Sequence, residues 1–140
     1  MCCCTRRRLF ALAAAGIAAW STRAKAAAAE HRKFIEAAFK MKDEAVRAGD
    51  QPYGAVLVKD GRIIGFGPSR VVLKNDWTAH AEREAIREAQ ARLGTENLEG
   101  CLLYSTSRPC RECEHAAAAA NVARMYHGPD AADAGRPRQT

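Results

Sequence analysis

The sequence predicts an α/β protein, a three-layer α/β/α sandwich around a mixed sheet of four or five strands, shortened at its C-terminus. Three observations predict it. Helical apolar spacing and short apolar runs succeed one another in the order αββαβαβ. An Asp60-Gly61 pair separates the first two runs and is a strong signal for a two-residue hairpin. The later strands are each preceded by a helical stretch, which sets helices against the sheet. With 140 residues the chain holds one domain and a modest core.

The first helix is expected over residues 30–48. Phe34, Ala38, Met41, Ala45 and Ala48 recur at steps of four, three, four and three. Gly49 suits the position just past its end, and Asp50 and Pro52 stop it. Gly54 to Val58 is a continuous apolar run and reads as a buried strand, with Arg62 to Phe66 returning beside it. Residues 67–77 form a loop carrying Pro68, Asn75 and Asp76.

The second helix is expected from about Ala79 to Leu93, with Gly94 just beyond. Its apolar stripe is Ala85, Ile86, Ala89 and Leu93. Glu82 lies one turn earlier on that stripe. A carboxylate facing the core is costly unless it has a partner or a task. Cys101 to Thr106 reads as the third strand. Pro109 suits the first turn of a third helix reaching about Asn121. Its Ala116 to Ala120 run favours helix but offers little bulk to bury. Val122 to His127 is the fourth strand, Gly128-Pro129 breaks it, and residues 129–140 read as an irregular polar tail.

The first 26 residues differ from the rest. Arg6, Arg7 and Arg8 precede an apolar run from Leu9 to Trp20, and Ala24-Lys25-Ala26 offers a small-x-small cleavage site. Twelve apolar residues are too few for a bilayer, which needs about 20. The paired arginines resemble a twin-arginine export signal, so a periplasmic location is expected, with a cytoplasmic one as the alternative. That route exports folded protein, so a metal could be loaded in the reducing cytosol. Cys2, Cys3 and Cys4 do not fit a lipoprotein site, because no cysteine follows the apolar run.

The formal charge is +6, but five of the 22 basic residues lie in this leader, where there is no Asp or Glu. The remaining 17 basic and 16 acidic residues balance at +1. The body is therefore not an obvious polyanion binder, and a nucleic-acid partner is not expected. Only Cys101, Cys110 and Cys113 remain in the body. Three thiols argue against a disulfide framework and fit two metal ligands plus one core cysteine, Cys101.

Two segments carry the chemistry. His80-Ala81-Glu82 offers an imidazole and a carboxylate, and Pro109-Cys110-Arg111-Glu112-Cys113 offers two thiols at i and i+3. His80, Cys110 and Cys113 are the N/S ligands zinc prefers, and three protein ligands leave a fourth position for water. Glu82 is then free to move protons. At the first turn of a helix His80 and Glu82 can reach the same point. Two helix N-termini at one metal favour thiolates there. His115 reads as a solvent-facing or supporting residue, and His31 and His127 as surface residues. Trp77 suits packing or stacking on a base equally well.

His-x-Glu followed by Pro-Cys-x-x-Cys is the signature of zinc-dependent nucleobase deaminases. The chain resembles the cytidine/deoxycytidylate deaminase superfamily over about residues 30–128. Pro52-x-Gly54-Ala55-Val56, Asn75-Asp76-Trp77-Thr78-Ala79-His80-Ala81-Glu82 and Leu103-Tyr104-Ser105-Thr106 look like its guanine deaminase and tRNA adenosine deaminase branch. The resemblance implies a deaminase domain over 27–128 with Zn2+ on His80, Cys110 and Cys113, and Glu82 as proton shuttle. Backbone around Ala55 and Ala81 would hold the base of a nucleobase or nucleoside substrate, and a homodimer is expected. Ser69 stands where the branch usually has a substrate-contacting Asn, and Arg108 where it usually has Glu. The family usually continues with a fifth strand and further helices beyond the fourth strand.

Three functions follow as expectations. The first is hydrolytic deamination of a nucleobase or nucleoside, a guanine-like purine above all, with release of ammonia. The second is tRNA adenosine deamination, which the +1 body and the leader disfavour. The third is a catalytically silent, zinc-stabilised binding protein, which Glu82 opposes because structural zinc needs no such carboxylate.

Overall fold

The structure is a computed structural model that describes residues 11–139, with side chains from Thr22 onward. It contains helix α1 (Ala11–Arg47), strands β1 (Gly54–Lys59) and β2 (Arg62–Pro68), helix α2 (Ala81–Leu93), strand β3 (Leu102–Ser105), helix α3 (Arg111–Ala119) and strands β4 (Arg124–His127) and β5 (Ala132–Gly135). The chain divides into two compact units, Met1–Glu30 and His31–Thr140. In the first unit the described backbone is helical from Ala11, and Thr22 to Glu30 are exposed. Arg6, Arg7, Arg8 and the three leading cysteines lie outside the described residues. Among the described residues no helix is long and apolar enough to cross a membrane.

The second unit carries a five-stranded sheet in the order β2-β1-β3-β4-β5. β1 pairs antiparallel with β2 and β3, β3 pairs parallel with β4, and β4 pairs antiparallel with β5. The sheet is mixed, as expected. β1 is buried on both faces, which is why it reads as an unbroken apolar run rather than an alternating one. Its odd residues Ala55 and Leu57 join a core under α2 and α3, with Leu103, Ile86 and Met125. Its even residues Val56 and Val58 join a second core under α1, with Phe34, Ala38 and Tyr104. These two cores make the three layers. Asp60 and Gly61 close the hairpin at φ 49° and 73°, the left-handed pair a tight turn of this kind demands.

α2 lies unusually close to β2. A methyl group on Gly65 would overlap the Ala85 carbonyl oxygen, and one on Gly67 would overlap that of Ala81. Both positions must lack a Cβ for the helix to seat. This close seat fixes the height of the α2 N-terminus, and with it His80 and Glu82.

The structure departs from the sequence reading in several places. α1 begins at Ala11 rather than near residue 30, because the Ala-rich leader propagates helix without needing an apolar face. It ends at Arg47, so Ala48 is outside it and exposed. Leu93 is 41% exposed at the last turn of α2 and does not join the stripe. Trp77 is 70% exposed, which removes the packing role. His31 is not a plain surface residue: its Nδ1 lies 2.8 Å from the Tyr104 hydroxyl, and its ring sits 4.4 Å from that of Tyr126. Residues 132–135 are not irregular but form the edge strand β5. Arg124 clamps it by donating to both carboxylate oxygens of Asp133, at 2.9 and 3.0 Å.

Candidate metal centre and active site

The segment ahead of α2 is tied down residue by residue. Asp76 accepts the Thr78 N–H at 2.8 Å, and the Ala79 N–H donates to the Asp76 carbonyl at 3.0 Å. The Arg70 N–H donates to the Ala79 carbonyl, locking both ends of the loop together. His80 is then the extended N-cap of α2, at φ −63° and ψ 153°. Glu82 follows in the first turn, facing inward and buried. The second segment is built alike. The Ser105 hydroxyl donates to the Ser107 carbonyl at 2.6 Å, holding the bend after β3. Cys110 is the extended N-cap of α3, and Cys113 is buried in its first turn. The two helix starts face one another, so their partial positive ends converge.

Convergence is close. His80 Nδ1 is 3.5 Å from Cys110 Sγ and 3.5 Å from Cys113 Sγ. All three donor atoms lie within 4.8 Å of one another. A tetrahedral zinc, with its characteristic Zn–S and Zn–N lengths, separates a sulfur from a nitrogen ligand by about 3.6 Å. The donor set therefore fits zinc in both chemistry and spacing. One Glu82 oxygen, Oε2, is 3.5 Å from Cys113 Sγ, which puts the acid against the cluster.

Burial pushes the Glu82 carboxyl above the usual carboxylate range, against a lesser opposing pull from its own backbone N–H, Cys113 and His80. Burial also pushes the Cys113 thiol well up, helped by the Glu82 charge and by Cys110. A divalent cation is the group that reverses this, since coordination deprotonates a thiol outright. Cys101 has no such role. It is fully buried in the core, and burial raises its thiol too.

A cavity of about 450 Å³ opens on the cluster. His80, Ala81, Glu82 and Cys110 form its reactive end, and Gln51, Tyr53, Ser69, Ser107 and Arg108 line the remainder. Five of the seven residues singled out from the sequence, His80, Glu82, Cys110, Ala81 and Ser69, thus line one cavity, and Cys113 is buried in contact with Glu82. Ala55 does not line it. Its side chain is in the core, and its backbone sits in the sheet between Gly67 and Ser105. A larger groove of about 530 Å³ borders the Arg70–Glu44, Lys74–Glu84 and Arg87–Glu84 ion pairs, and its charges satisfy one another.

Sequence reasoning missed one residue of consequence. Asp50, read only as a helix stop, is buried and organises the loop that carries Ser69. Its Oδ1 accepts the Gln51 N–H at 2.7 Å and the Ser69 hydroxyl at 2.9 Å. Its Oδ2 accepts the Val72 and Leu73 N–H groups at 3.0 and 2.9 Å. Burial works to raise this carboxyl, but the four donors outweigh it and hold the group below the usual aspartate range. The only hint in the sequence is an acid placed four residues before the start of a buried strand.

The chain is similar to relatives of known kind. A family model described as the cytidine and deoxycytidylate deaminase zinc-binding region matches residues 28–128. The guanine deaminase of Bacillus subtilis strain 168 is 42% identical over 109 residues, covering 75% of this chain and 70% of the relative. A tRNA-specific adenosine deaminase of Agrobacterium fabrum is 43% identical over 100 residues, covering 71% and 66%. Among solved structures, a Bacillus subtilis guanine deaminase superposes with a TM-score of 0.68 at 41% identity, over 70% of this chain and 63% of that one. A structure from work on A-to-I editing by tRNA:A34 deaminases gives 0.66 at 43% identity, over 69% and 70%. The chain spans about two thirds of the length of these relatives. On the match across residues 28–128 and the His80, Cys110, Cys113 cluster within it, the chain belongs to the cytidine and deoxycytidylate deaminase family.

Proposed function

We propose that the protein is a zinc-dependent hydrolytic deaminase of a nucleobase or nucleoside, with a guanine-like purine as the favoured substrate. The observation that carries this reading is the buried Glu82 carboxylate set against three zinc-type donors at the end of a cavity. In such a reaction a ring carbon exchanges its amino group for the oxygen of water: a C–O bond forms, the C–N bond breaks, and ammonia leaves.

His80 Nδ1 and the sulfurs of Cys110 and Cys113 would hold the metal. Zinc, when bound there, supplies a Lewis acid that lets water lose a proton near neutral pH. Glu82 would accept that proton on a carboxylate oxygen and deliver it to the ring nitrogen, then take the proton of the newly attached hydroxyl and deliver that one to the departing amine. Its upward-shifted carboxyl makes the protonated form accessible, which this double duty requires. Ala81 and Ser69, which line the cavity, seat the ring. The guanine preference rests on the Asn75-Asp76-x-Thr78-Ala79-His80-Ala81-Glu82 wording and on the 42% identical guanine deaminase.

The second reading, tRNA adenosine deamination, is supported by the 43% identical relative of that activity. The +1 balance of the body opposes it. A silent zinc-stabilised binding protein is the third, and the buried Glu82 opposes that one. The test is ammonia release by zinc-loaded protein from a panel of bases, nucleosides and tRNA. Guanine is expected to turn over fastest. Release from tRNA alone would select the second reading, and release from nothing would select the third.

The Arg6-Arg7-Arg8 and apolar run support export to the periplasm. Fractionation should find cleaved protein there, and an uncleaved precursor confined to the cytosol would end that reading. A homodimer is the proposed assembly, to be checked by sedimentation.

A further inference from the structure

We infer that Arg108 forms a phosphate subsite at the outer end of the metal cavity, so that the purine enters as a nucleoside 5′-monophosphate. The inference rests on the deaminase reading for the base and adds the group that the base carries. The phosphate takes no part in the bond changes and serves to hold and orient the ligand.

The two large cavities treat their cations differently. In the groove beside α2, Arg70 is paired with Glu44, and Lys74 and Arg87 are paired with Glu84. The metal cavity is lined by one arginine, Arg108, and one carboxylate, Glu82, and the two are not paired. Among the described residues Arg108 has no ion-pair or hydrogen-bond partner. An exposed, solvated arginine is ordinary. What sets Arg108 apart is its place. Three neighbours in the lining, Gln51, Tyr53 and Ser107, also carry side-chain donors that no described residue satisfies. Glu82 is buried against Cys113 and leaves this outer lining without a counter-charge.

The backbone beneath Arg108 is held. The Thr106 N–H donates to the Gly54 carbonyl at 2.9 Å, and the Ser107 carbonyl accepts the Ser105 hydroxyl at 2.6 Å. Pro109, on the other side, is buried. An unengaged guanidinium on a fixed backbone has less to lose on binding than one on a loose loop. The arginine head is a planar fork with a permanent charge, and it matches phosphate oxygens two at a time. The Glu that the family resemblance leads one to expect here would repel a phosphate.

Charge and size name the ligand class. A neutral base or nucleoside gives Arg108 no counter-charge. A phosphate monoester brings close to two negative charges and three acceptor oxygens. On the 5′ carbon it stands across the ribose from the base, so it reaches outward when the ring lies against Glu82. A cavity of about 450 Å³ has room for the ribose as well, whose hydroxyls suit Gln51, Tyr53 and Ser107. A polynucleotide would bring the same phosphate chemistry, but the +1 balance of the body disfavours it.

The test compares guanosine with guanosine 5′-monophosphate. Their Kd values are measured by calorimetry on zinc-loaded Glu82→Gln protein, where ligand is not consumed, and their KM and kcat on the wild-type enzyme. The monophosphate is expected to bind about ten- to a hundredfold tighter, the scale of a hydrogen bond to a charged group. Arg108→Ala should bring the ratio of the two Kd values close to one. Arg108→Lys should keep part of the preference, and Arg108→Glu should invert it. Zinc content, measured beside each binding curve, should stay at one per chain. A second measurement needs no substitution at Arg108: added salt should weaken binding of the monophosphate far more than that of guanosine. Equal affinity for the two ligands, a preference that survives Arg108→Ala or ignores salt, or loss of zinc in Arg108→Ala would overturn the inference. So would Arg108-dependent binding of tRNA with no binding of the monophosphate. Selective binding of the monophosphate without ammonia release by the wild type would instead sink the deaminase reading and leave the phosphate subsite standing.

Discussion

Glu82 Oε2 and Cys113 Sγ stand 3.5 Å apart, although they enter the site from different helices and are 31 residues apart in sequence. Neither is comfortable alone: burial raises both groups above their ordinary ranges. A cation held by the proposed ligand set would relieve both, since an ionised thiol can ligate it.

The first prediction follows from that pairing. Cys113→Ala should abolish stoichiometric zinc, measured by elemental analysis, and lower Tm to that of the chelator-treated wild type. A ligand that binds only the folded state stabilises by about 2.7 kcal/mol at a hundredfold excess over Kd, and that increment should vanish. If Cys113→Ala protein retains one zinc per chain, the ligand set is wrong.

A second prediction concerns the seat of α2. Gly67→Ala places a methyl group into the Ala81 carbonyl, one residue from His80. Backbone on both sides leaves little room to yield, so the cost should be about 1–3 kcal/mol, the range of overpacking. Zinc affinity should fall with it, because the shift moves the N-terminus of α2. Urea denaturation and zinc titration check the two effects. A variant as stable as wild type would show that β2 and α2 can separate freely.

How much of this was legible in the sequence depends on the range of the interactions involved. The hairpin at Asp60-Gly61, the buried run of β1 and the apolar stripe of α2 are local, and local periodicity reveals them. The cluster was legible because His80, Cys110 and Cys113 have few other uses in such spacing. β5 was not, because Ala132-Asp133-Ala134-Gly135 has poor strand propensity. It is held instead by the Arg124–Asp133 pair, made by a residue from the neighbouring strand. Asp50 was not, because its meaning depends on a loop that returns 19 to 23 residues later. His31 was misread for the same reason, its partner Tyr104 being 73 residues away.

Asp50 gives a third prediction, with a definite sign. Its folded-state carboxyl lies below the unfolded value of about 3.9. The stability it contributes is therefore fully present above that value and is lost as pH falls through the lower folded one. Asp50→Ala should cost about 1–3 kcal/mol at pH 7, since the buried Ser69 hydroxyl and the half-buried N–H groups of Gln51, Val72 and Leu73 lose their partner. The gap between wild type and Asp50→Ala should narrow as pH drops from 5 toward 2 in urea titrations. A gap independent of pH would mean that Asp50 does not act through its charge.

The most direct measurement of the central claim pairs zinc content with ammonia release in Glu82→Gln. The substitution keeps the shape of the side chain, spares His80, Cys110 and Cys113, and removes only the ability to carry a proton. The account predicts one zinc per chain in both proteins, ammonia from the wild type, and turnover in the variant lower by at least the 10²–10⁴-fold typical of a lost general acid–base. Equal turnover in the two zinc-loaded proteins would contradict it.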